Sequence, residues 1–195
     1  EFGYQRDQFE RLFPPDQYES YESWRKAAQR YQSHVLKTQI ETLRRLKYRP
    51  SGGFCFYALA DPGPVISASV LDHERAPKDA YAVVKAACEQ ILVVADSPPA
   101  WVNEGARLRL DVHLINDLRE GIDFAVVDAV ASWAGGEQRW RFGGPVPADD
   151  VIKVGQIDMT VPETLGELSF TLTMTAGDIT SRNRYATAVT LPPGA

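Results

Sequence analysis

A chain of 195 residues with 44% hydrophobic residues can bury a substantial core, in one large domain or two small ones. Its formal net charge is −5, with the acidic excess beyond residue 98, and an acidic surface repels phosphate backbones, which argues against nucleic-acid binding. No apolar run reaches the length of a membrane span and no basic-then-apolar leader opens the sequence, so no membrane partner is expected and the cytoplasm is the favoured compartment.

Residues 1–19 are polar and are stopped by Pro14-Pro15, which predicts a loop. Ser20 is a helix cap, and the apolar residues Trp24, Ala28, Tyr31, Val35, Leu36, Ile40, Leu43 and Leu46 follow at helical spacing. Pro50 closes that helix, and Arg44, Arg45, Lys47 and Arg49 crowd its C-terminal end, where cations suit the helix dipole. Gly52-Gly53 then permits a tight reversal. Residues 54–60, Phe-Cys-Phe-Tyr-Ala-Leu-Ala, are apolar without alternation and end at Asp61. Such a run predicts a strand buried on both faces, as in a parallel sheet covered by helices. Asp61-Pro-Gly-Pro is a rigid loop, Pro77 opens a further helix through Ala87, and residues 91–95 read as a short strand.

Ser97-Pro98-Pro99 is the expected domain boundary. Beyond it the period becomes two: Leu108, Leu110, Val112 and Leu114 alternate with Arg107, Arg109, Asp111 and His113. Further runs at 122–133, 137–142, 151–161, 167–176 and 182–191 are divided by glycine-rich turns, which predicts an antiparallel sandwich of immunoglobulin type. The fold class is therefore α/β over residues 1–98 followed by all-β over residues 99–195.

The segment from Glu41 to Phe54, ETLRRLKYRPSGGF, followed by Ser69-Val-Leu-Asp-His-Glu-Arg-Ala-Pro-Lys and Tyr81, resembles glycoside hydrolase family two, its β-mannosidase-like branch above all. The opening Glu1-Phe-Gly-Tyr-Gln resembles the family segment whose glutamate is the nucleophile. The resemblance implies the closing end of a (β/α)8 barrel and then a sandwich, within a retaining exo-β-glycosidase. It implies Glu1 as the attacking carboxylate and Asp61 as a residue near the sugar, with a carbohydrate as substrate and no cofactor. The family's asparagine–glutamate pair, which carries the acid/base, has no counterpart in residues 1–98, and Asn103-Glu104 falls in the sandwich half. The 195 residues alone are therefore expected to be inactive, since a retaining mechanism needs two carboxylates across one sugar ring. Either the rest of the barrel or a second copy of the chain is expected to cover the 54–60 strand. A non-catalytic carbohydrate-binding or structural sandwich module is the alternative reading.

Other residues carry less. Asp61 equally suits a turn aspartate binding its own loop backbone. The family's aromatic neighbours of that loop are replaced by Gly63 and Ala68. His34, His73 and His113 are dispersed and show no metal-ligand spacing. Cys55 and Cys88 are expected as small buried hydrophobes, and Trp133 and Trp140 as core or hairpin aromatics rather than a sugar-stacking pair.

Overall fold

The computed structural model describes residues 6–192. They divide into two compact units, one of the chain up to Leu43 with Gly52–Glu89, the other of Arg44–Ser51 with the chain from Gln90 onward.

The second unit is a two-sheet β-sandwich. Its strands are β1 (Ile91–Ala95), β2 (Trp101–Asn103), β3 (Arg107–Asn116), β4 (Ile122–Trp133), β5 (Gly136–Val146), β6 (Asp150–Thr160), β7 (Gly166–Ala176) and β8 (Ile179–Thr190). One sheet runs β1-β3-β6 and the other β2-β8-β7-β4-β5. All pairings are antiparallel except β2 against β8. The alternation of apolar and polar residues along β3, β4, β7 and β8 turns every second side chain inward. Leu110, Val112 and Leu114 of one sheet meet Ala129, Phe170, Leu172 and Met174 of the other in a single buried cluster. Each of the larger side chains, the leucines, Val112, Phe170 and Met174, contributes roughly 1.5–3 kcal/mol on burial.

β1 pairs along its length with β3, so the expected boundary at Pro98-Pro99 falls inside this unit. The strand lies at a sheet edge, and side chains of β8 satisfy its free backbone. Ser181 Oγ accepts from the Val93 N–H at 3.1 Å, Tyr185 Oη from the Ala95 N–H at 3.0 Å, and Asn183 donates to the Val93 carbonyl at 3.0 Å. At the opposite side, Phe142 of β5 lies over Gly155 of β6, where a Cβ would come within 2.2 Å of the ring. Trp133 and Trp140 pack against the core from partly buried positions, as expected of hairpin aromatics.

The last two residues of the long helix and those just after it belong to this unit, where carboxylates pair with their cations. Arg44 and Lys47 both pair with Asp117 at 2.7 Å, Lys47 also reaches Asp149 at 2.6 Å, and Arg45 pairs with Asp96. Tyr48 donates its hydroxyl to Asp149 at 2.9 Å.

The first unit holds α1 (Arg6–Leu12), a 3-10 turn (Pro15–Gln17), α2 (Tyr21–Arg45, its last two residues grouped with the sandwich) and α3 (Asp79–Ala87). α1 corrects the expectation of a loop over residues 1–19: Phe9 and Phe13 are one helical turn apart and their rings meet at 5.4 Å. Ser20 caps α2 as expected, its Oγ accepting from the Ser23 N–H while Ser23 Oγ accepts from the Ser20 N–H, a reciprocal cap. Ile40, Val70, Ala80, Val84 and Ala87 form the small core.

Residues 54–60 do not form the expected buried strand. Phe54, Phe56, Tyr57 and Leu59 are exposed, Tyr57 at 77%, and the segment makes only an isolated bridge between Ala60 and Leu71. A parallel strand is buried by pairing on both edges, and the described residues supply no strand to pair with it. Cys55 shares that exposure and Cys88 ends α3 in the open, so neither is the buried hydrophobe expected. Among the described residues no helix is long and apolar enough to cross a membrane.

Candidate functional site

Asp61 follows the apolar segment and is 4% exposed, the most deeply buried carboxylate among the described residues of the first unit. Its loop is closed at the base by backbone bonds. The Asp61 N–H reaches the Leu71 carbonyl at 3.1 Å, and the Lys78 N–H reaches the Val70 carbonyl at 2.9 Å. This closure brings Ser67, Ser69 and Lys78 onto one carboxylate. Both serine hydroxyls donate to Oδ1, and Lys78 Nζ lies 2.8 Å from Oδ2. Lys78 Nζ also donates to Ser69 Oγ at 3.2 Å. Burial pushes the Asp61 carboxyl upward, but the bonds from Lys78, Ser67 and Ser69 outweigh it and hold the group below the usual aspartate value. The side chain is thus ionised and is held by hydroxyl and ammonium donors from the side chains of its own loop rather than by that loop's backbone N–H groups.

The next turn has its own aspartate. Asp72 Oδ1 accepts the N–H groups of Glu74 at 2.9 Å and Ala76 at 2.8 Å, which fixes the turn carrying Arg75 at φ 68°. The Leu-Asp and Pro-Lys pairs of the sequence therefore do separate jobs: one shapes the loop and the other returns a cation to Asp61.

Beside this cluster opens a cavity of about 600 Å³ between α1, α2 and the 61–78 loop. Phe9, Tyr21, Trp24 and Tyr31 line it on the helical side, and Asp61, Ser67, His73 and Lys78 on the loop side. The aromatic rings hold one another: Phe9 stands edge-on to Trp24 at 5.5 Å, and Tyr21 lies tilted against Trp24 at 5.7 Å. The Trp24 indole N–H donates to the Phe13 carbonyl at 2.9 Å, which fixes its ring. Gln32 ties α2 to the loop by donating to the carbonyls of Ala68 and Ser69 at 2.9 and 3.1 Å.

Of the site residues expected from sequence, Glu1 lies outside the described residues. Asp61 is central to the cluster. Its partners Ser67, Ser69 and Lys78 were not singled out from the sequence, although Lys78 stands inside the segment that carries the family resemblance. The aromatic side chains of α1 and α2 were assigned to a loop and to an ordinary apolar stripe, and their convergence on the Asp61 loop is a tertiary fact with no local signature.

No family model matches this chain, and no curated protein sequence matches it. Its fold is similar to that of exo-chitosanase CsxA from Amycolatopsis orientalis, with a TM-score of 0.67 and 18% identity over 86% of this chain and 20% of that one. The exo-β-D-glucosaminidase CsxA studied with a glucosamine-configured castanospermine and an amino-australine analogue gives a TM-score of 0.70 and 18% identity, over 93% and 21%. A variant of CsxA in complex with PNP-β-D-glucosamine gives 0.65 and 19%, over 85% and 19%. This chain thus spans about a fifth of the length of those proteins, and at such identity the likeness is one of fold.

Proposed function

We propose that this chain is a portion of a retaining exo-β-glycosidase of the family-two kind, holding the last strand and helices of a (β/α)8 barrel and the immunoglobulin-type sandwich after it. The observation that carries this reading is the exposed apolar run at 54–60, in which Phe54, Phe56, Tyr57 and Leu59 lie open although the sequence is suited to a strand buried on both faces. Such a segment requires strands from elsewhere, and a barrel supplies them on both sides. The similarity of nearly the whole chain to about a fifth of a larger exo-acting enzyme supports the same reading.

In this account Glu1 is the nucleophile and the acid/base comes from outside the 195 residues. Asp61 serves the sugar site from the loop after the eighth strand, with Lys78 beside it. The remainder of the barrel is the natural partner of residues 54–60, and a second copy of the chain is the substitute when that remainder is missing. The sequence resemblance supports a β-mannoside as substrate. A β-glucosaminide is the second reading, carried by the likeness to CsxA.

The test compares the natural-length protein with the 195-residue chain on aryl β-D-mannoside and aryl β-D-glucosaminide. The longer protein should hydrolyse one of them and the short chain neither, because one carboxylate cannot run a two-carboxylate mechanism. Turnover by the short chain, or a natural-length protein inert on every aryl β-glycoside, would sink the proposal.

A further inference from the structure

We infer that the turn Arg44–Ser51 is an acid-released clasp on the sandwich, and that His113 of β3 is its trigger. Every residue of the device lies within the second unit, so the inference stands apart from the glycosidase reading.

The clasp is held by charge. Arg44, Arg45 and Lys47 reach three carboxylates at strand ends: Asp96 just after β1, Asp117 just after β3 and Asp149 just before β6. Arg44 is buried and Arg45 and Lys47 are half-buried, so these pairs are screened less than fully solvated ones. The turn also braces itself. Arg49 and Ser51 donate their N–H groups to the Leu46 carbonyl at 2.8 and 3.0 Å, and the Tyr48 N–H reaches the Ser51 carbonyl at 2.6 Å.

His113 stands between the inward-facing Val112 and Leu114 and so faces the outer side of its sheet. Val94 of β1 and Lys153 of β6 flank it in register. Its Nδ1 is buried without a hydrogen-bond partner. Protonation makes both ring nitrogens donors, which would leave a buried N–H with no acceptor. The charges around the ring oppose a proton as well. Arg45 of the clasp and Lys153 are cations, and the carboxylates nearby are already engaged. Asp111 Oδ1 accepts from Lys153 at 2.7 Å and Gln156 at 2.6 Å, and Asp96 binds Arg45 and the Asp111 N–H. A proton on His113 therefore sets a further cation against Arg45, and moving Arg45 away gives up its pair with Asp96.

The direction with pH follows. Burial, with help from Arg45 and Lys153 and opposition from Asp111, drives the imidazole from 6.5 down to about 4 while the clasp is closed. Opening returns the ring to water, so opening gains from each drop in pH between those values. Asp149 stays charged through that window, because Lys47 and Tyr48 hold its carboxyl below the usual aspartate value. The opening constant should rise about ten- to thirtyfold from pH 7.5 to pH 5.

The experiment is amide hydrogen exchange of the natural-length protein, read by mass spectrometry at both pH values and normalised to unfolded-peptide rates. Peptides covering 44–51 should lose protection about ten- to thirtyfold on acidification, while peptides from β7 keep theirs. His113→Gln should abolish the response. Lys153→Gln, at a half-exposed position, keeps every carboxylate of the clasp and should shrink the response severalfold, since it removes a cation beside His113 and releases Asp111 to face the ring. A 44–51 segment already unprotected at pH 7.5, unchanged protection at pH 5, or an equal loss in β7 would overturn the inference. So would the full response in either variant, and Lys153→Gln alone decides if His113→Gln does not fold.

Discussion

The Tyr185 hydroxyl joins two sheets, accepting the main-chain N–H of Ala95 and the side-chain amide of Asn183 at 2.9 Å while its ring stays in the core. Tyr185→Phe keeps the ring and leaves a buried N–H on the edge strand without that acceptor. A loss of about 1–3 kcal/mol in denaturant unfolding is expected, the desolvation cost of donors left without this acceptor. An unchanged midpoint would show that the edge of β1 is satisfied in another way. His113 makes a second prediction at this scale. Burial drives its imidazole from 6.5 down to about 4, helped by Arg45 and Lys153 and opposed by Asp111. The unfolded chain accepts a proton that the fold refuses, so stability is full above about pH 6.5 and falls as pH drops toward 4. The loss across that window is roughly 3 kcal/mol at most. Thermal melts of the wild type and of His113→Gln at about pH 7 and pH 4.5 should converge on removing the imidazole, the variant losing less stability on acidification. Parallel losses in both proteins would assign the effect to the carboxylates instead.

Gly155 shows why an edge strand can depend on a missing side chain. The Phe142 ring fills the space over β6 where a Cβ would stand, closing the side on which β5 and β6 come together. Gly155→Ala should displace that ring and cost about 1–3 kcal/mol, the usual penalty of overpacking. Gly144→Ala, on β5 with open space at its Cβ, is the control and should cost less. Equal melting temperatures for the two variants would contradict this packing. The elements themselves differ in how far the sequence discloses them. The long strands β4 and β7 were legible because inward side chains such as Ala129 and Leu172 recur with period two. β2 was invisible, since its three residues, Trp101–Asn103, carry no period and their pairing with β8 is parallel. α1 was hidden by the weight given to Pro14-Pro15, although Phe9 and Phe13 hold the helical spacing. At 54–60 the apolar run disclosed a need for burial but not whether this chain could meet it. Asp61 was legible as a site candidate, whereas its bonds to Ser67, Ser69 and Lys78 arise only when the loop closes.

For the molecule as a whole, the sandwich is the part that carries its own core, and β1 is one of its strands. A piece covering residues 90–195 should therefore unfold cooperatively, while one starting at residue 99 lacks β1 and uncovers the β3 edge. The shorter piece should melt at a lower temperature, and equal melting temperatures would return the boundary to Pro98-Pro99. The other unit has a small core around Ile40, Val70 and Val84, and an open apolar segment. In the proposed account it is incomplete without the rest of a barrel, and activity belongs to the assembled protein. A carboxylate nucleophile must be held to tight tolerance, since a displacement of about 1 Å costs roughly a hundredfold in rate. The most direct test of the central claim is chemical rescue of Glu1→Gly in the natural-length protein with an activated aryl β-glycoside. The account predicts negligible turnover alone. With azide present, azide attacks the anomeric carbon, the aryl oxide leaves, and a glycosyl azide of inverted configuration accumulates. Undiminished hydrolysis by the variant without azide would contradict the assignment of Glu1, and with it the reading of this chain as part of a retaining glycosidase.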